Sequence, residues 1–122
     1  MLAAFSFILY SFKNDEKAFV KTELYFGQSR NDSGEVAAEE WRAFSDTVIT
    51  AYFPNGSTTI EASGRWMEQS GRIISERSKL VVLINEMSPD VSAQIDSVRE
   101  KYKRYHHQDA VLRVDQKVEI SF

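Results

Sequence analysis

Three features of this 122-residue chain predict an α+β fold. The first is Ser78 to Asn85, S-K-L-V-V-L-I-N, where five apolar residues run together between polar ends. A run of that length with no charge on either alternate face reads as a buried strand in the middle of a sheet. The second is Ser88-Pro89-Asp90, a serine N-cap, a proline whose missing N–H costs nothing there, and an acid in the first turn. Val91, Ile95, Val98, Tyr102 and Tyr105 then recur at helical spacing. The third is period-two alternation on either side of the helical stretches. Together they give the order β-α-β-β-α-β, two split β-α-β units with right-handed crossovers. The predicted architecture is ferredoxin-like: a four-stranded antiparallel sheet with two helices on one face and strand order 4-1-3-2.

At this length the chain holds one domain with a single core. It contains no cysteine, which excludes disulfides, thiolate chemistry and cysteine-based zinc sites. A net charge of −3 argues against nucleic-acid binding, which needs a basic footprint. Met1 to Phe12 is apolar without a charge but shorter than the ~20 residues a membrane span requires. Three readings fit it: a signal-peptide remnant, an N-terminal element packed on the domain, and a short interfacial anchor. With the polar stretch Lys13 to Lys17 it forms residues 1–17, and the domain is expected over 18–122.

Phe19 to Phe26 alternates as a half-buried strand, with Val20, Thr22, Leu24 and Phe26 on one face and Lys21, Glu23 and Tyr25 on the other. A loop over Arg30 to Gly34 leads to a helix over Val36 to Ile49, striped by Trp41, Phe44 and Val48. Pro54 and Gly56 bound its end. Thr58 to Trp66 is the second strand, in which Gly64 suggests a bulge or a close backbone approach. The turn Glu68 to Gly71 joins it to the strand that carries the apolar run. The second helix ends among Lys103, Arg104, His106 and His107, and Ala110 to Phe122 closes the sheet with Leu112, Val114, Val118, Ile120 and Phe122 on one face.

Several blocks carry a resemblance: T-E-L-Y-F-G (Thr22 to Gly27), W-R-A-F (Trp41 to Phe44), T-A-Y-F-P-N-G-S-T (Thr50 to Thr58), G-R-W (Gly64 to Trp66), G-R-I-I-S-E-R-S-K (Gly71 to Lys79) and Q-D-A-V-L-R-V-D (Gln108 to Asp115), with a terminal S-F. Over about Lys21 to Phe122 the chain resembles the bacterial family called domain of unknown function 3574. The resemblance implies a short, often exported bacterial protein and assigns neither an activity nor a functional residue. Ala51-Tyr52 and Ser57 depart from the family pattern, which has Pro-Arg and leucine there.

No catalytic motif, metal motif or phosphate loop stands out, and no cofactor is implied. Glu23, Tyr25, Glu61, Arg65, Arg113 and Asp115 are expected on the sheet face without helices. There they either bind a polar ligand or form cross-strand ion pairs. Glu76 shares parity with Leu80 and Val82, which are expected to point inward, so it would need an arginine partner in the core. Trp41, Trp66 and Phe53 are expected core aromatics, with Trp66 an alternative pocket wall. Candidate ligand-binding residues are therefore Glu23, Tyr25, Arg65, Trp66 and Glu76. His106 and His107 point ~100° apart on a helix and do not converge on a metal. With Val81 and Leu83 placed outward beside Tyr25 and Val111, an apolar patch is expected on the open face and a homodimer through it. The function these observations favour is a non-enzymatic domain of the cell envelope binding a small molecule or protein. The alternative is a cofactor-free isomerase or monooxygenase of the dimeric α+β barrel kind, using Glu23, Tyr25 and Arg65.

Overall fold

The computed structural model describes residues 18–32 and 34–122; Met1 to Phe12 and the linker after it lie outside them. The elements run β1 (Phe19–Gly27), helix α1 (residues 38–52), β2 (Thr58–Met67), β3 (Ile73–Glu86), helix α2 (Pro89–Tyr105) and β4 (Leu112–Val118). The four strands form one antiparallel sheet ordered β2-β3-β1-β4, the ferredoxin-like order expected. The apolar run of β3 thus sits between two neighbours, as a strand without charge on either face should.

Alternation in β1 is strict. Val20, Thr22, Leu24 and Phe26 are buried and the residues between them are half-buried. Residues directly opposite in a ladder share a face. Leu24 lies opposite Val81 and Thr22 opposite Leu83, so β3 presents Val81 and Leu83 to the helices, where they are 0% and 1% exposed. This inverts the expected parity: Leu80, Val82 and Ile84 face away from the helices, and Glu76 faces away with them. Val111, expected on the open patch, is buried in the core. The ladder between β2 and β3 passes Gly64 opposite Glu76 without a break, so there is no bulge at that glycine.

Helix α1 begins as an α-helix over Ala38–Phe44, widens to a π-helical turn over Ser45–Ile49 and closes with Thr50–Tyr52. The adjacent Val48 and Ile49 in that turn are both buried in the core. Glu40 reaches back to the N–H of Ala37 at 3.2 Å and pairs with Arg30, and these contacts hold its carboxyl below the usual range. Helix α2 starts as read: the Ser88 hydroxyl accepts from the N–H of Val91 at 3.1 Å, and Pro89 leads the first turn. Ile95, Val98 and Tyr102 form its buried stripe, while Tyr105 stays half exposed.

Between the two helices and the end of β1 lies an aromatic knot. Phe26 packs edge-on against Tyr102 with ring centroids 4.8 Å apart, and Trp41 and Phe44 close around the pair at 5.3 and 6.0 Å from Phe26. A buried tyrosine needs its hydroxyl satisfied. Tyr102 donates to the carbonyl of Gly27 at 2.5 Å and accepts from Gln28 Nε2 at 3.1 Å, while the Gln28 amide also donates to the carbonyl of Phe26 at 2.9 Å. Burial pushes the phenol pKa well up, so the group stays neutral. Helix α2 stops at Tyr105, with His106 as its cap. His107 takes a left-handed backbone (φ 52°) and the N–H of Gln108 reaches the carbonyl of Lys103 at 3.1 Å, a Schellman-type ending. That reversal folds His106 under the chain against Tyr102 and Phe44, so it is buried rather than part of an exposed basic end.

Two outcomes follow from the knot. Tyr102→Phe leaves the Gly27 carbonyl and Gln28 without their partner and should lower stability by about 1–3 kcal/mol in denaturant titrations; an unchanged midpoint would show the hydroxyl to be irrelevant. His106 Nδ1 has no hydrogen-bond partner among the described residues, and Glu40 Oε2 stands 3.8 Å away. Burial, then the Arg30 charge, lower the pKa of His106 below its ordinary value, against a smaller opposing pull from Glu40. A depressed folded pKa means the unfolded chain binds the proton more readily, so this stability is intact above ~6.5 and is lost as the pH falls below it. Melting between about pH 7 and 5 should decline in the unaltered protein and flatten in His106→Phe; equal slopes would remove the histidine from the account.

Candidate functional site

The sheet face opposite the helices carries the candidate site. Its surface follows from the register. β1 supplies Lys21, Glu23 and Tyr25; β3 supplies Leu80, Val82 and Ile84; β2 supplies Ile60 and Trp66; β4 supplies Leu112 and Val114. Ile60, Trp66, Ile84, Leu112 and Val114 are between 40% and 60% exposed, an unusual outlay of large apolar side chains. Four strands ~4.8 Å apart, with about seven residues each at ~3.3 Å, make a face of roughly 450 Å² in projection. Lys21, Glu23 and Glu76 share that face, and an apolar patch of a few hundred Å² within it is of the size that is often functional.

Of the five residues proposed from sequence, four share this face. Glu23 and Tyr25 sit side by side near its centre, the phenol hydroxyl 3.5 Å from Glu23 Oε2. Trp66 is half exposed opposite Ile74, which corrects its assignment to the core. Glu76 does not enter the core. It lies on the open face, and a Cβ placed on Gly27 would come within 2.7 Å of its Oε1 and 3.2 Å of Gln108 Oε1. Glycine is therefore what lets this carboxylate lie close over β1. Arg65 has the opposite parity to Trp66 and is exposed on the helix side of the sheet, beyond the end of β1. It does not join the others.

Arg113 and Asp115, also expected on the open face, lie on the helix side. The reason is a polar strap between β4 and α2. Arg113 donates to Asp96 Oδ1 at 2.9 Å and to Asp115 Oδ2 at 3.0 Å, and Asp115 accepts from the buried Thr22 hydroxyl at 2.6 Å. Arg99 meets the same Asp96 at 2.8 Å and holds the carbonyl of Val111. Arg99 and Arg113 keep the Asp96 carboxyl below its usual range. These charges are fully engaged in fastening the helix to the edge strand. Glu61 also has helix-side parity and pairs with Lys79 opposite it.

At one end of the open face Phe19 and Ile84 meet the tail 119–122 around a hollow of about 580 Å³, and among the described residues no group of acids and histidines has the geometry of a metal site. No described helix is long and apolar enough to cross a membrane. Ile60, Leu80, Val82 and Ile84, the apolar body of the face, were not singled out from sequence as site residues. The signal was present in the alternation of β2, where Ile60 and Trp66 share parity.

No curated protein matches the chain by sequence. Solved structures share its fold at low identity. A phage SAM lyase in complex with S-methyl-5'-thioadenosine is 16% identical with a TM-score of 0.61, covering 83% of this chain and 81% of that one. The same kind of enzyme in its apo state is 14% identical at a TM-score of 0.61, covering 82% and 81%. CutA from Synechococcus elongatus PCC7942 is 10% identical with a TM-score of 0.53, covering 84% and 78%. At these identities the likeness is one of fold. By sequence, residues 21–122 match the family described as protein of unknown function DUF3574, and the chain belongs to that family.

Proposed function

We propose that the chain is a non-enzymatic binding domain of the cell envelope, and that its working surface is the open sheet face, occupied by a second copy in a homodimer. The observation that carries this reading is the apolar face itself: Ile60, Ile84, Leu112 and Val114 stand in solvent on the side without helices. A second copy fits because the face is self-complementary. Lys21 and Glu23 lie two residues apart on the same face of a central strand, so two β1 strands crossing at a two-fold axis bring each lysine to its partner's glutamate. Two sheets stacked ~10 Å apart, rotated by about 30°, interdigitate such side chains. The envelope placement rests on the family resemblance and on the apolar segment Met1 to Phe12.

A small cofactor-free enzyme is the second reading, and the Glu23–Tyr25 pair is what favours it. Catalysis asks for a carboxylate enclosed with a substrate, where low dielectric strengthens its action. Glu23 and Tyr25 instead lie on an open surface, which supports the binding reading. That a phage SAM lyase shares the fold speaks for the scaffold alone, since one fold hosts many functions.

Sedimentation equilibrium tests the proposal. At about 100 μM, roughly a hundredfold above a micromolar dissociation constant, the protein should run as a dimer. Ile60→Lys and Leu112→Lys, both exposed in the single chain, should yield monomers that melt cooperatively. Val81→Lys and Leu83→Lys should instead unfold the domain, since both positions lie in the core. A monomeric unaltered protein at that concentration, or lysine variants that associate as well as the original, would overturn the dimer.

A further inference from the structure

A cavity of about 460 Å³ opens where α1 ends, α2 begins and β3 outruns β2. Its wall is the stretch 52–58, which lies within the T-A-Y-F-P-N-G-S-T block and joins the sheet only at Thr58, opposite Val82, which also lines the cavity. The last rung between β2 and β3 joins Thr58 to Val82, after which the chain swings away through Pro54 and Gly56. Ile84 and Asn85, on the strand edge past that rung, line the cavity.

Two properties mark this cavity as a site rather than a packing defect. Its volume lies within the roughly 300–1,000 Å³ of small-molecule pockets. Its chemistry is also one-sided: in a chain that is 27% charged, no lining residue carries a charge. The polar lining consists of amides and hydroxyls, chiefly Tyr52, Asn55, Asn85 and Gln94, beside the apolar Phe53 and Val91. Asn55 and Gln94 are exposed and Tyr52 and Asn85 half-buried, so their polar atoms are open to a ligand entering the cavity. Carboxamides present donor and acceptor side by side, so they match a ligand edge built the same way. A charged ligand would lose hydration here with no counter-ion to replace it.

We propose that this cavity binds an uncharged small molecule that joins a flat apolar body to a carboxamide-like edge, as a nucleobase or cyclic amide does. The site borders the sheet face and shares Val82 and Ile84 with it, while Asn55 and Gln94, on the loop before β2 and on α2, stand off the sheet.

Nicotinamide and nicotinate form a matched pair of probes, one neutral and one anionic on the same ring. Titrated into the ¹⁵N-labelled full chain, nicotinamide should give saturable shifts confined to residues 52–58, 82–85 and 91–94, with a dissociation constant of about 1–10 mM, as suits a fragment of that size. Nicotinate should bind at least about tenfold more weakly, a difference of ~1.4 kcal/mol. Gln94→Ala, on the exposed surface of α2, should weaken nicotinamide about fivefold or more at an unchanged melting temperature, as each amide hydrogen bond implies. Asn85→Ala should do the same, and if it melts early Gln94→Ala alone decides. Any of three results overturns the site: no saturable shifts or shifts elsewhere, nicotinate binding as tightly, or Gln94→Ala leaving nicotinamide affinity intact.

Discussion

One sheet with two apolar faces, and helices enough to cover only one of them, is the constraint on which this structure turns. The run Leu80 to Ile84 is hydrophobic at both parities, so the middle strand offers an apolar surface above and below. Val81 and Leu83 meet the helices and disappear from solvent, whereas Leu80, Val82 and Ile84 are left for something else to cover. Everything proposed for the open face descends from that division.

The covered side shows why it could not be the other way round. Its closing element is the knot of Phe26, Trp41, Phe44 and Tyr102, which requires β1 to point its even-numbered residues at the helices. The register then gives β3 no choice, because Leu24 must share its face with Val81. At the other edge, β4 is held to α2 by the strap around Asp96, which needs Arg113 and Asp115 on the same side. Charge and aromatic packing thus set the orientation of all four strands, and the apolar residues of the open face follow as a consequence.

Much of this was legible in the sequence, and the reasons for the rest are physical. Strict alternation told the two faces of β1 apart, and the serine, proline and acid before Val91 fixed the start of the second helix. The faces of β3 were not legible, because alternation carries no information where both parities are apolar. Glu76 held the clue, since its parity with Leu80 puts a carboxylate and those residues on one face, and a carboxylate belongs on the open one. Arg113 and Asp115 read as surface charges because their partners Asp96, Ser92 and Thr22 are distant in sequence. His106 read as part of a basic helix end because its burial depends on the left-handed turn at His107, which composition does not announce. The cavity behind residues 52–58 was invisible for a similar reason: it exists only where β3 extends past β2.

The most direct test of the central claim is the solvent exposure of individual methyl groups across a dilution series. With a soluble paramagnetic agent and methyl-labelled protein, Val81 and Leu83 should be protected at every concentration. Ile60, Ile84, Leu112 and Val114 should be protected in concentrated protein and become exposed on dilution, as a second copy leaves the face. Open-face methyls equally exposed at all concentrations would contradict the pairing of two copies, and methyls protected at all concentrations would mean that the chain covers its own face.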